Sequence, residues 1–186
     1  MLQTFVNLVK IPDLRKKIVI TFILIAVYRI GAYIPTPGID GGKLAQFFDN
    51  IAKTQGGTLF GIMNLFSGGA IERLTIFALG IMPYISASII LQLLATVIPA
   101  LEKLTKEGEA GHKKITQYTR YGTVILAAIQ SFFIAMWLEA PQRFGGLQIV
   151  QYPGWPFRIL TMITLSSGTA FIMWLGEHIF YKFSNL

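Results

Sequence analysis

Residues 74–98 run for 25 positions without one charged side chain. At about 1.5 Å rise per residue, an unbroken helix there reaches about 37 Å, enough to cross a hydrocarbon core of about 30 Å with some tilt. Directly upstream, residues 59–66 form a shorter apolar stretch closed by Ser67-Gly68-Gly69, and this one is too short to cross. Backbone that stops partway through a bilayer is tolerated only where protein or a water-filled cavity shields it. The pattern therefore predicts a half-helix abutting a complete span, and with it a pore or transport site. Three further spans are predicted at 18–34, 121–138 and 159–176, the first with Arg29 inside it. The expected fold is all-α, a polytopic transmembrane bundle of four spans plus a short half-helix, connected by segments 1–17, 35–73, 99–120, 139–158 and a tail at 177–186.

Basic residues orient these spans. Lys10, Arg15, Lys16 and Lys17 precede the first, and Lys103, Lys106, Lys113, Lys114 and Arg120 crowd the connection between the second and third. On the opposite side Lys43, Lys53, Arg73, Arg143 and Arg158 are spread over two long loops. The crowded side is predicted to be cytoplasmic, and with it both termini. Trp137, Trp155 and Phe157 at the outer span ends, and Tyr118, Tyr121 and Trp174 at the inner ends, fit aromatic belts at headgroup level.

Composition agrees with a bilayer: 53% of residues are hydrophobic and only 13% charged, about half the charge fraction of a soluble domain. Cysteine is absent, which removes disulfide frameworks and thiolate metal sites from consideration. The first apolar segment ends at Pro35-Thr36-Pro37 without a small-residue cleavage pattern, so it reads as a retained span. The net charge of +7 does not point to nucleic acid, because the basic residues flank spans instead of forming one stripe with stacking aromatics. Segment 99–120 is the exception: long, charged with both signs and broken by Gly108 and Gly111, it suits docking of a cytoplasmic partner.

The inventory for catalysis is thin. The only histidines, His112 and His178, lie outside the spans, no carboxylate pair sits inside one, and no phosphate-cradling loop occurs. Ser86 and Ser88 read as hydroxyls bonded to backbone or to a neighbouring helix. No enzyme, cofactor or metal site is expected. Transport remains. Ile81 and Ile85, four apart, project from one helical face, with Gly80 and Pro83 loosening the backbone around them. Such a stripe closes a pore by dewetting, although aliphatic pairs at this spacing occur in almost any span. Tyr84, Ser88 and Gln92 form a polar stripe at the same spacing, and Gln130-Ser131 is the polar pair of the third span.

The run Asn64-Leu65-Phe66-Ser67-Gly68-Gly69-Ala70, the segment 76–90 containing Gly80-Ile81-Met82-Pro83-Tyr84-Ile85-Ser86, and Lys106-Glu107-Gly108-Glu109 leading to Gln117-Tyr118-Thr119-Arg120-Tyr121-Gly122 closely resemble the bacterial SecY family. Arg29-Ile30-Gly31, Ile34-Pro35-Thr36-Pro37-Gly38 and Met173-Trp174-Leu175-Gly176-Glu177 fall in that family's order. The resemblance implies the amino-terminal portion of a protein-conducting channel, which passes unfolded polypeptides across the membrane or sideways into it. Its energy would come from a partner ATPase or a translating ribosome. It implies a plug at about 59–70, with Phe60, Ile62, Met63, Leu65, Phe66, Ser67, Gly68 and Gly69, and a hydrophobic pore ring drawing on Ile81 and Ile85. It also implies a lateral gate to which Ser86 and Gln130 contribute, and a partner loop with Lys103, Lys106, Lys113, Lys114 and Arg120. The implied partners are SecE, SecG, the SecA motor, the ribosome, signal peptides and lipid, in a bacterial inner membrane with the amino terminus cytoplasmic. Two departures qualify this. The family has ten spans in two inverted halves, against four predicted here, and after Glu177 the residues His178 to Leu186 diverge from its usual sequence. The alternative is a non-conducting fragment with a structural or assembly role, unable to translocate alone. Arg29, about five residues or 7.5 Å from the outer end of its span, either snorkels to the interface or orients the plug.

Overall fold

The computed structural model describes residues 12–52 and 73–184. Its helices are α1 (Pro12–Gly31), α2 (Gly41–Ala52), α3 (Met82–Val97), α4 (Pro99–Lys106), α5 (Glu109–Leu138), a 3-10 turn (Pro141–Phe144) and α6 (Trp155–Ser184). Among the described residues, extended pairing is limited to isolated bridges such as Pro35 to Thr75 and Ile39 to Val150, so the fold is all-α. Ala110–Leu138 and Trp155–Phe180 are each long and apolar enough to cross a membrane, and α3 with α4 forms a third candidate bent by 101° at Ile98.

Helix boundaries depart from the expected spans for local reasons. The second span was expected from residue 74, but its helix begins at Met82. The preceding backbone is engaged elsewhere: the Thr36 amide donates to the Leu74 carbonyl at 3.0 Å and the Ile76 amide to the Ile34 carbonyl at 3.0 Å. Leu74 at φ 44° and Gly80 at φ 55° turn the chain twice before α3 starts. The expected loop 99–120 is mostly helix. Pro99 presets the first turn of α4, Glu102 and Lys106 pair along it at 2.6 Å, and Gly108 at φ 74° turns the chain into α5 twelve residues before the expected start.

The principal packing is α5 on α6. Buried positions recur every four residues on each: Thr119, Thr123, Ala127, Ser131 and Ala135 on α5, and Phe157, Thr161, Leu165 and Thr169 on α6. Small side chains at this spacing let two helices approach closely, the condition for association where lipid removes the hydrophobic drive. The Thr123 hydroxyl donates to the Thr119 carbonyl at 2.7 Å and that of Ser131 to the Ala128 carbonyl at 2.9 Å, satisfying these groups within the helix.

At the Leu138 end of α5 a separate core forms around Ile39, Leu44, Leu74, Leu138, Phe144, Ile149, Val150 and Phe157. The Phe144 ring lies edge-on between Phe47 and Trp137, 4.7 Å from each. Helix α2 seals one side. Asp40 caps it, accepting from the amides of Gly42 (3.1 Å) and Lys43 (3.2 Å). The Lys43 amide, seconded by the nearby Lys43 ammonium, holds the Asp40 carboxyl below the usual carboxylate range. Opposite, Glu139 accepts from the Gly154 amide at 2.8 Å and pairs with Arg158 at 2.6 Å. This end is termed the platform. The other end, where α3, α4 and the start of α5 meet, is termed the elbow; α5 spans about 45 Å between them.

Candidate functional site

Ile81 occupies the position before the first turn of α3, with Pro83 buried behind it, and the amides of Tyr84 and Ile85 both donate to the Ile81 carbonyl at 3.1 Å. The Ile81 and Ile85 side chains remain 44% and 43% exposed. Ile89, four residues further along, extends the same stripe and is 51% exposed, although sequence pattern did not single it out. The described backbone thus presents a continuous aliphatic line from the start of α3.

Around the helix from this line, Tyr84, Ser88 and Gln92 face α5. The Gln92 side-chain amide donates to the Ser88 hydroxyl at 3.3 Å. Together with Thr96 of α3, Glu102, Thr105 and Lys106 of α4, and His112, Thr116 and Thr119 of α5, they line a groove of about 530 Å³. The polar stripe expected from the sequence is therefore the wall of an elbow groove, rich in hydroxyls and bordered by the Glu102–Lys106 pair.

Ser86 and Gln130 are both partly buried, and they lie at different depths. A Cβ at Gly122 would sit 3.6 Å from the Ala87 methyl, which sets the register of α3 on α5. Gln130 is eight residues beyond Gly122, so about 10 Å separates it from Ser86 along the bundle. The two do not bond each other.

The five basic residues of the expected partner loop divide. Lys103 and Lys106 lie on α4, and Lys113 and Lys114 are exposed on the opening turns of α5. Arg120 is engaged: its guanidinium grips Glu177 of α6 through Nη2 to Oε2 at 2.6 Å and Nε to Oε1 at 2.8 Å. This bidentate clasp ties α5 to α6 at the elbow end. Arg120 and Glu177 both stood in the quoted motifs, but 57 residues of separation concealed the pairing. Arg29 lies 5.6 Å from the centre of the Tyr33 ring, while Arg73 sits 4.9 Å from the same ring. One tyrosine thus carries cation contacts from both strands of this corner. The expected plug residues Phe60, Ile62, Met63, Leu65, Phe66, Ser67, Gly68 and Gly69 lie outside the described residues.

Sequence comparison supplies independent information. Residues 75–182 match the family model described as SecY. The chain is 47% identical over 183 residues to protein translocase subunit SecY of Thermus thermophilus, covering 96% of this chain and 40% of the relative. It is 49% identical over 181 residues to the subunit of the same name from Streptomyces coelicolor, covering 95% and 41%. Against that of Escherichia coli it is 48% identical over 167 residues, covering 90% and 36%. The chain thus spans about 40% of the length of the first two relatives.

Proposed function

This chain belongs to the SecY family, and we propose that it supplies the amino-terminal wall of a protein-conducting channel for secretion of unfolded polypeptides and lateral insertion of membrane segments. The observation that carries this reading is the exposed aliphatic line Ile81, Ile85 and Ile89, which begins where irregular backbone gives way to α3. In the assembled channel Ile81 and Ile85 form part of a hydrophobic constriction that closes by dewetting and holds no passing segment strongly. Residues 59–70 serve as the plug. Ser86 and Gln130, at different depths on neighbouring helices, contribute separately to a lateral gate whose interhelical hydrogen bonds, averaging about 0.6 kcal/mol, yield to a competing apolar segment.

The described residues hold no cluster of three or more metal-ligating side chains. Energy for transport comes from partners, a SecA-type ATPase or the ribosome, and SecE- and SecG-type subunits complete the complex. Lys103, Lys106, Lys113 and Lys114 face the cytoplasm at the elbow and meet those partners, whereas Arg120 braces the bundle. The location is a bacterial inner membrane with a cytoplasmic amino terminus.

The test has two parts. A reporter fused at Gly108 behaves as cytoplasmic and one at Gly145 as external; the reverse pattern inverts the topology. In the complete channel, Ile81→Ser with Ile85→Ser raises ion leak through the closed state. Unchanged conductance in the single and paired variants removes these residues from the constriction and favours a non-conducting, structural role.

A further inference from the structure

We propose that Phe77 is a positioning residue for the constriction, a wedge between α1 and α6 that sets where Ile81 and Ile85 stand, and that Gly31 and Gly168 provide the space in which it seats. The inference rests on the channel reading of Ile81 and Ile85.

Phe77 is 3% exposed. Its ring stacks on Tyr28 of α1, with centroids 5.5 Å apart and planes at 7°, and on Phe171 of α6 at 6.0 Å and 5°. A ring in two such near-parallel contacts cannot rotate away from pressure without disturbing both. The glycines mark how close the approach is. A Cβ at Gly31 would lie 2.1 Å from Phe77 Cε2, and one at Gly168 would lie 1.9 Å from the Ile76 carbonyl oxygen. Neither distance is compatible with a methyl group, so side-chain-free positions on two different helices grip one dipeptide from two directions.

From this grip to the constriction the chain is short and turned tightly. The Ala78 amide donates to the Thr75 carbonyl and the Gly80 amide to the Phe77 carbonyl, each at 2.9 Å, and Ile81 follows at once as the residue before α3. Only three residues separate Phe77 from Ile81, and two consecutive turns remove their slack. A displacement of the wedge is therefore transmitted toward Ile81 through these two turns. Pro83 and Ala87 anchor the first turns of α3 from behind, whereas Ile81 and Met82 are exposed and contribute little anchoring themselves, so Phe77 is the nearest buried side chain upstream of the constriction.

The test uses the complete channel in sealed vesicles, with any cysteine outside these residues replaced, reading ion leak together with thiol labelling of Ile81→Cys; residues 1–186 contribute no other cysteine. Gly31→Ala is expected to raise leak about tenfold, the shift that overpacking of this size imposes on a closed-to-open ratio. Phe77→Leu, which creates no clash, raises it as well by freeing the turn. The double variant Gly31→Ala with Phe77→Leu, in which the added methyl occupies vacated ring volume, returns leak and labelling rate toward the parent. A merely structural role would show the same reversal in thermal stability, because the two residues touch, but would leave leak and labelling at parent values throughout. Gly168→Ala meets backbone, so it leaks without rescue by Phe77→Leu. Parent-like tightness and labelling in Gly31→Ala and Phe77→Leu, while Ile81→Ser leaks, would overturn the wedge and leave the constriction standing. A tight Ile81→Ser channel would overturn the constriction reading itself, and the wedge with it.

Discussion

The platform and the elbow lie at opposite ends of α5 and are built on opposite terms. At the platform, Phe144, Ile149 and Val150 are 1–2% exposed, and the long loop between α5 and α6 is pinned by main-chain bonds from Asp40 to Ile149 and from Gln151 to Gly38. Its one deep ion pair, Glu139 with Arg158, is completed by the Gly154 amide. At the elbow, α4 has no fully buried residue, and the groove beneath it is lined largely by hydroxyls, with Gln92, His112 and the Glu102–Lys106 pair. The platform therefore ties its loop main chain and its buried carboxylate internally and is the rigid end, while the elbow leaves surface for contact and is the adaptable end. The channel wall proposed above would use both, one end holding the proposed constriction while the other is free for contact.

The largest expected effect comes from removing the centre of the platform. Phe144→Ala deletes a ring held between Phe47 and Trp137, and large-to-small changes at such sites cost about 3–5 kcal/mol. Thermal unfolding in detergent checks it. Parent-like unfolding would mean that the loop core is not an integral part of the fold and would remove the contrast with the elbow.

Next are the two ion pairs that tie helix ends together. Glu139 is 9% exposed at its side chain and Arg158 28%, so Arg158→Met strands a buried carboxylate at a cost of about 3 kcal/mol. The Arg120–Glu177 clasp at the elbow is the fuller fork, with one nitrogen on each carboxylate oxygen where both Arg158 nitrogens reach Glu139 Oε2, but Arg120 is 49% exposed. Arg120→Ala therefore costs about 1 kcal/mol or less. Added salt narrows the second difference and leaves the first. Equal losses in both variants would show that geometry, not burial, sets the strength of these pairs.

This contrast also explains what the sequence disclosed. The long apolar helices α5 and α6 were legible from apolar runs of bilayer length, although the uncharged run 74–98 gave a helix only from Met82, and the polar stripe Tyr84, Ser88, Gln92 was legible from its four-residue spacing. The platform was hidden inside two segments that read as loops. Helix α2 within 35–73 offered Asp40 followed by Leu44, Phe47 and Phe48, a cap and an apolar face that pattern analysis could have found. The Glu139–Arg158 and Arg120–Glu177 pairs could not be found that way, since single charges at the ends of spans read first as topology signals. The late start of α3 was equally opaque, because the backbone partners of Leu74 and Ile76 lie some forty residues earlier and leave no periodicity to detect.

The smallest expected effect is at the cap of α2. The Asp40 carboxyl is held below its ordinary value chiefly by the Lys43 amide, so its ionised form is bound more favourably in the folded chain than in the unfolded one. The folded state then binds fewer protons than the unfolded state at acid pH. The stabilisation is complete above the unfolded carboxylate value of about 3.9 and is lost as pH falls through the lower folded value. Asp40→Asn keeps a capping oxygen and removes the charge. Amide exchange in the first turn of α2 should be slightly faster in the variant at neutral pH, by a margin that is constant between about pH 5 and 8 and closes below about pH 4 as the parent aspartate protonates. Exchange is read as a protection factor, so the intrinsic pH dependence cancels between parent and variant. A margin that stays constant through pH 4 would place the cap's contribution in hydrogen bonding alone, and one that widens on acidification would reverse the sign. Even with the predicted sign, the platform core beneath should hold its protection throughout, because Leu44 is fully buried whatever the state of the cap. The cap thus trims one edge of the rigid end without changing which end is rigid.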